Sequence, residues 1–160
     1  MPAAPQRATA RLQQPPVVTA VLNILRTAAW LLDELEPTFA AHHLTAARFD
    51  VLDALAQLGQ PVRPAELKER LHVPGQTLTG VLDALERAGH VRRIPNPRDR
   101  RSVLVEITPA GRAAFATVCP DLVAVEEACL SELKPADLAR LTRMLSTIQA
   151  TIARARSLED

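Results

Sequence analysis

The chain has 160 residues, 48% of them hydrophobic, which suits one domain, or one small domain plus an accessory element, and excludes a disordered tail. A formal net charge of +1 argues against indiscriminate nucleic-acid binding, yet between Arg87 and Arg101 six arginines (87, 92, 93, 98, 100 and 101) face one acid, Asp99, a local +5 that leaves the remainder at −4. Two cysteines without CxxC spacing make no disulfide framework, no apolar run approaches membrane-spanning length, and Met1 to Pro5 lacks the regions of a signal peptide, so the expectation is a cytoplasmic protein with no membrane contact.

Residues 1–16 contain four prolines (2, 5, 15 and 16) and no apolar period, which predicts a mobile arm. From Val17 to about Phe39, Val18, Val21, Leu22, Leu25, Leu32, Leu35 and Phe39 recur at three- and four-residue steps and predict a long amphipathic helix. Pro37 predicts a kinked last turn or the start of a new short helix. Thr45 then reads as the N-cap of a helix whose apolar face is Phe49, Leu52, Leu55 and Leu58, ended by Gly59.

Pro64 suits the first turn of the next helix, with Leu67 and Leu71 on one face. Val73-Pro74-Gly75 breaks it. Leu78, Val81, Leu82 and Leu85 at i, i+3, i+4, i+7 mark a second helix that stops near Gly89, so the pair forms a helix-turn-helix. The period then changes to alternation: Val91 and Ile94 begin one strand, and Val103, Val105 and Ile107 share a side of another. Pro95 to Arg101 between them is turn-forming, and the whole is a winged helix-turn-helix. Thr108-Pro109 opens a helix carrying Phe115, Val118, Leu122, Val125 and Cys129, with Pro120 inside it predicting a bend. A last start signal, Ser131 to Pro135, precedes Leu138, Leu141, Leu145, Ile148 and Ile152. The fold class is mainly α (α+β). The residues leave two covers open for the long terminal stripes, a bundle within one chain or a second subunit.

Four elements, in order and at matching spacing, resemble the MarR family of bacterial transcription regulators: LTAARFDVLDAL from Leu44, the T-L-T-x-x-L-D-x-L-E-x-x-G helix from Thr77, the D-R-R of Asp99 to Arg101, and the T-P-A-G ending at Gly111. The resemblance implies a homodimer built from residues 17–43 and 109–157, with 44–108 as the winged DNA-binding region for double-stranded DNA. It further implies a ligand-responsive repressor on an inverted-repeat operator. The alternative is a winged module for protein or RNA interaction without operator specificity.

On the second helix of the pair, Gln76, Thr77 and Thr79 place short polar side chains in the N-terminal turn, opposite the apolar face, where phosphates and adenine edges can be met. Gly80 departs from the family, which often holds a larger polar or basic residue there. Arg98, Arg100 and Arg101 extend from a Pro-Asn-Pro turn toward a minor groove or its phosphates. By resemblance, Asp99 structures the wing through a salt bridge.

The family commonly senses small aromatic or phenolic anions in a cleft beside the dimer helices, and Trp30, His42, His43, Arg48 and Phe49 lie in the segments that would line it. No helical i, i+4 histidine pair offers a metal site, and no cofactor is expected. Cys119 and Cys129 sit on or beside an apolar stripe, where a thiol behaves as a small hydrophobe. Neither a nucleophile–base pair nor a phosphate loop suggests an enzyme.

Overall fold

The computed structural model describes residues 15–71, 73, 75–99 and 101–156. Its elements are α1 (Pro16–Ala41), α2 (Ala46–Leu58), α3 (Pro64–Leu71), α4 (Gly75–Arg87), β1 (Val91–Pro95), β2 (Val103–Ile107), α5 (Pro109–Cys129) and α6 (Pro135–Arg156). The mainly α architecture with one hairpin is as expected.

The predicted arm ends earlier than its prolines suggest. Pro15 is the N-cap of α1 and Pro16 its first residue, a place where the missing N–H was unpaired in any case. The rest of that arm, residues 1–14, lies outside the described residues. Pro37 does not start a new helix, because α1 runs on through it to Ala41. Pro120 sits inside α5, as expected. A second correction concerns length: α1 has 26 residues and contains an 18-residue window with a mean hydropathy of 1.2, enough by length and composition to cross a bilayer. Its C-terminal third is nonetheless committed to this fold, for Phe39 is buried and Leu35 packs on the same core.

α2 is the centre of the molecule, packed by α1, α3, α4, α5 and β2. The Thr45 hydroxyl accepts the Arg48 N–H at 3.3 Å, and Gly59 closes the helix in the left-handed region (φ 65°) with its N–H on Leu55 O. Between these caps Val51, Leu52, Ala54 and Leu55 are buried. Leu67 from α3 and Leu78, Leu82 and Leu85 from α4 complete the core beneath the helix-turn-helix. α4 ends in a two-bond C-cap: Gly89 (φ 73°) donates to Glu86 O and His90 donates to Leu85 O, each at 2.9 Å.

The hairpin is antiparallel, with Val91 opposite Ile107 and Pro95 opposite Val103. Val62 adds one bridge to Val105, exchanging both backbone bonds at 3.0 and 2.8 Å, so β2 is the middle strand and β1 an edge. Val91, Val105 and Ile107 face the core, whereas Val103, 43% exposed, lies where the hairpin extends past it. Thr108 then caps α5: its hydroxyl accepts the Gly111 N–H at 3.0 Å and donates to Gly89 O at 2.7 Å. Gly111 is obligatory here, since a Cβ on it would stand 2.0 Å from His90 O. The start of α5 is thus pressed against the end of α4.

Candidate nucleic-acid interface

The first two turns of α4 present Gln76, Thr77 and Thr79 to solvent while Leu78 goes to the core. The Thr79 hydroxyl donates to Gly75 O at 3.0 Å, which commits its hydrogen and leaves its oxygen as an acceptor. No atom lies within 4 Å of the place a Cβ would take on Gly80, so the polar face has a gap there. Backbone N–H groups in the first turn of a helix have no intrahelical partner and favour anions.

The wing loop is held by its own short side chains. Asn96 Oδ1 accepts the Arg98 N–H at 3.0 Å, and Asn96 Nδ2 donates to Ser102 Oγ at 2.8 Å. Asp99 Oδ1 accepts the Arg101 N–H at 3.0 Å, and the Ser102 N–H returns to Asp99 O at 3.0 Å. Two successive Asx turns therefore aim the loop. Asp99 thus holds the wing through a backbone N–H, and among the described residues it makes no salt bridge. Asn96 and Ser102 were missed by sequence reasoning, although an Asn or Asp two residues before an arginine, twice in succession, is the pattern of such turns. Arg98 and Arg101 are exposed and have no acidic partner among the described residues. Arg100 lies outside them.

The local charge of +5 is smaller in space than in sequence. Arg92 pairs with Glu106 directly across the hairpin, and Arg93 with Asp83, at 2.6 Å, and Glu86 on α4. Those acids lie outside the Arg87–Arg101 segment but beside it in the fold. The hydrogen bond that Arg93 donates to Asp83, opposed by burial and reinforced by Glu86, holds its guanidinium above the ordinary range, so it remains charged. Of the six arginines, Arg92 and Arg93 are thus paired, whereas Arg98 and Arg101 in the loop, and Arg87 at the end of α4, have no salt-bridge partner among the described residues.

The five residues expected to line an effector cleft are dispersed. Trp30 is 68% exposed on α1, His42 Nε2 lies 2.8 Å from Asp121 Oδ2 and ties α1 to α5, and His43 is exposed with φ 57°. Arg48 is half-buried near the N-cap of α2. Phe49 is held between Phe39, at 5.5 Å between ring centroids, and Phe115, stacked at 5.2 Å. None of them lines the 550 Å³ cleft between the wing and the α2–α3 connection, whose walls include Gln60, Arg63, Glu66, Asn96 and Arg98. Nor do they line a 280 Å³ apolar groove formed by Val123, Leu130, Leu133 and Leu138. Among the described residues no three His, Cys, Asp or Glu side chains gather as a metal site. Burial first, then the charges of Asp53 and Glu126, push the Cys119 thiol up.

A recognition helix with an exposed polar N-terminal turn beside a cationic wing defines a winged helix-turn-helix DNA-binding protein. The model of the MarR family matches residues 42–102. The chain is 33% identical over 132 residues to the HTH-type transcriptional regulator PecS of Dickeya dadantii (strain 3937), covering 81% of this chain and 80% of that protein. Its fold matches an Escherichia coli MarR variant complexed with operator DNA, with 30% identity, a TM-score of 0.75, and 82% of this chain and 94% of that one covered. It also matches Bordetella bronchiseptica BpsR, a structure concerned with regulation of DNA binding by 6-hydroxynicotinic acid, with 27% identity, a TM-score of 0.72, and coverage of 81% and 98%. The chain belongs to the MarR family of winged helix-turn-helix transcription regulators: it is a DNA-binding regulator and not an enzyme.

Proposed function

We propose that the protein is a cytoplasmic, homodimeric repressor that binds an inverted-repeat operator in double-stranded DNA and responds to a small effector. The observation that carries the reading is the placement, on one lobe, of the exposed Gln76, Thr77 and Thr79 turn beside Arg98 and Arg101, two arginines with no acidic partner among the described residues. Helix residues then meet base edges and phosphates in the major groove, and the wing reaches the minor groove. The likeness to E. coli MarR on operator DNA supports this docking.

Residues 17–43 and 109–157 form the dimerisation region in this reading, and residues 44–108 the DNA-binding region. Its support is the apolar surface left open on the terminal helices, including Val21, Leu25, Met144, Ile148 and Ile152. An effector of small aromatic or phenolic type, the class to which the BpsR ligand belongs, would enter a cleft completed by the second subunit near Trp30, His42, His43, Arg48 and Phe49. Footprinting on the DNA immediately upstream of the protein's own gene tests the reading. Two half-sites in inverted repeat, separated centre to centre by roughly 10 base pairs or one helical turn, are expected. A single asymmetric half-site overturns it.

A further inference from the structure

Arg93 joins the wing to the recognition helix and takes no part in the contacts assigned above. It stands in the middle of β1 and reaches two carboxylates three residues apart on α4: Nη2 donates to Asp83 Oδ1 at 2.6 Å, and Nη1 donates to Glu86 Oε2. The other Glu86 oxygen accepts the Arg93 backbone N–H at 3.0 Å. That N–H points off the open edge of the sheet. Arg93 lies opposite Val105, whose own backbone groups are engaged with Val62 on the far side, so nothing on β2 can take it. Glu86 therefore closes the edge strand and grips the arginine at once.

Thr79, Asp83 and Glu86 follow one another at i, i+4, i+7 and form a single stripe along α4. The clamp thus acts on the stripe that carries Thr79 at its DNA-facing end. Apolar contacts from Leu82, Leu85 and Val91 also hold helix against sheet, but they are non-directional. A planar guanidinium bridging two carboxylates fixes an angle as well as a distance.

We propose that Arg93 is a positioning residue for DNA recognition: by clamping Asp83 and Glu86 it sets the recognition helix and the wing in register with the two grooves, and it does not lend its charge to DNA. The proposal rests on the DNA-binding assignment. It makes a prediction of sign. If Arg93 met a phosphate, Asp83 and Glu86 would only weaken it, and removing either acid would tighten binding. If it positions α4, removing either acid loosens the clamp and weakens operator binding although negative charge has been taken away.

The experiment compares the wild-type chain with Arg93→Ala, Arg93→Lys, Asp83→Asn and Glu86→Gln on operator and on random DNA at three salt concentrations. Arg93→Ala is expected to lower operator affinity about tenfold, the usual scale of a lost charge-assisted hydrogen bond, with random-DNA affinity and the salt slope little changed. Arg93→Lys is not expected to restore it, since one ammonium cannot reproduce the planar fork. Glu86→Gln and Asp83→Asn should weaken operator binding in the same direction. Glu86→Gln keeps a neutral acceptor for the β1 N–H, so it reports on the clamp even if Arg93→Ala lowers the folded fraction seen by circular dichroism.

Equal loss on operator and random DNA with the slope reduced by about one unit would make Arg93 a phosphate contact and overturn the proposal. So would tighter operator binding by either acid variant. Variants that all match a wild-type chain with clear operator preference overturn the proposal alone. No operator preference in the wild-type chain overturns the specific-regulator reading and this proposal with it.

Discussion

The winged lobe and the terminal helices solve the burial problem in opposite ways. In the lobe, Leu52, Leu67, Leu85 and Val105 are fully enclosed, and both ends of α2, the end of α4 and the start of α5 are closed by caps formed within the chain. In α6 no residue is buried, and α1 buries only Phe39 near its end. Both kinds of helix carry regular apolar stripes, so the stripe alone does not say what covers it. The lobe is specified from within, whereas the outer helices present apolar surface that a single copy leaves in water.

The sharpest way to break that comparison is to damage each side once. Leu82→Ala removes a fully enclosed side chain under the recognition helix and should cost about 2–5 kcal/mol, read as an earlier denaturant midpoint at any protein concentration. Leu141→Glu places a charge on the open stripe of α6 and should cost about 3 kcal/mol, but through association. Wild-type melting temperature should rise with protein concentration, and that dependence should vanish in the variant together with operator binding. Sedimentation of Leu141→Glu as a monomer with full operator affinity would remove the contrast between the two regions.

Legibility in the sequence follows the same division. The caps at Thr45, Gly59, Gly89 and Thr108 depend on local backbone chemistry, and each is where the residue type places it. The hairpin and its facing residues follow from period two, except at Val103, where the strand outruns the core it was expected to cover. Pro15 and Pro16 belong to the start of α1 and not to an arm because proline is permissive in a first turn, and of the two readings at Pro37 the new short helix is excluded by the continuity of α1 to Ala41. The charge of the basic segment was overcounted because Asp83, Glu86 and Glu106 are distant in the window that was counted and adjacent in space. Trp30, His42, His43, Arg48 and Phe49 were grouped by segment, and no period or motif could say that Phe49 is held between two other rings.

Within the lobe itself, tip and frame can be separated by smaller effects. Arg98→Ala and Arg101→Ala remove exposed cations and should weaken operator and random DNA alike, lowering the salt slope by about one unit per lost contact. Asp99→Ala raises the net positive charge but deletes the acceptor that fixes the Arg101 N–H, and Asn96→Ala removes both of the bonds its side chain makes in the loop. Weaker operator binding by both is expected, measured by titration at three salt concentrations. Tighter binding by Asp99→Ala, with unchanged slopes for the two arginine variants, would take the wing out of the interface.

The smallest expected effect lies where the two regions meet. Cys119, on α5, is half-buried and feels the charge of Asp53 from α2 across the joint between lobe and terminal helices. Burial and the two acids raise its thiol above the ordinary value near 8.5, so the folded chain holds the proton more tightly than the unfolded chain does. Two consequences share that sign. Stability from this group is present below the ordinary thiol value and is lost as pH rises through the raised one. Thiolate is scarce at neutral pH, so alkylation of Cys119 in a Cys129→Ser background should be slow at pH 7 and should accelerate only above the usual thiol range. Asp53→Asn removes one repulsive charge but leaves the larger cause, burial, in place, and should speed the reaction only slightly. Iodoacetamide labelling followed by mass spectrometry across pH 6 to 10 measures both, and labelling at pH 7 as fast as that of a free thiol would mean that the joint opens to solvent.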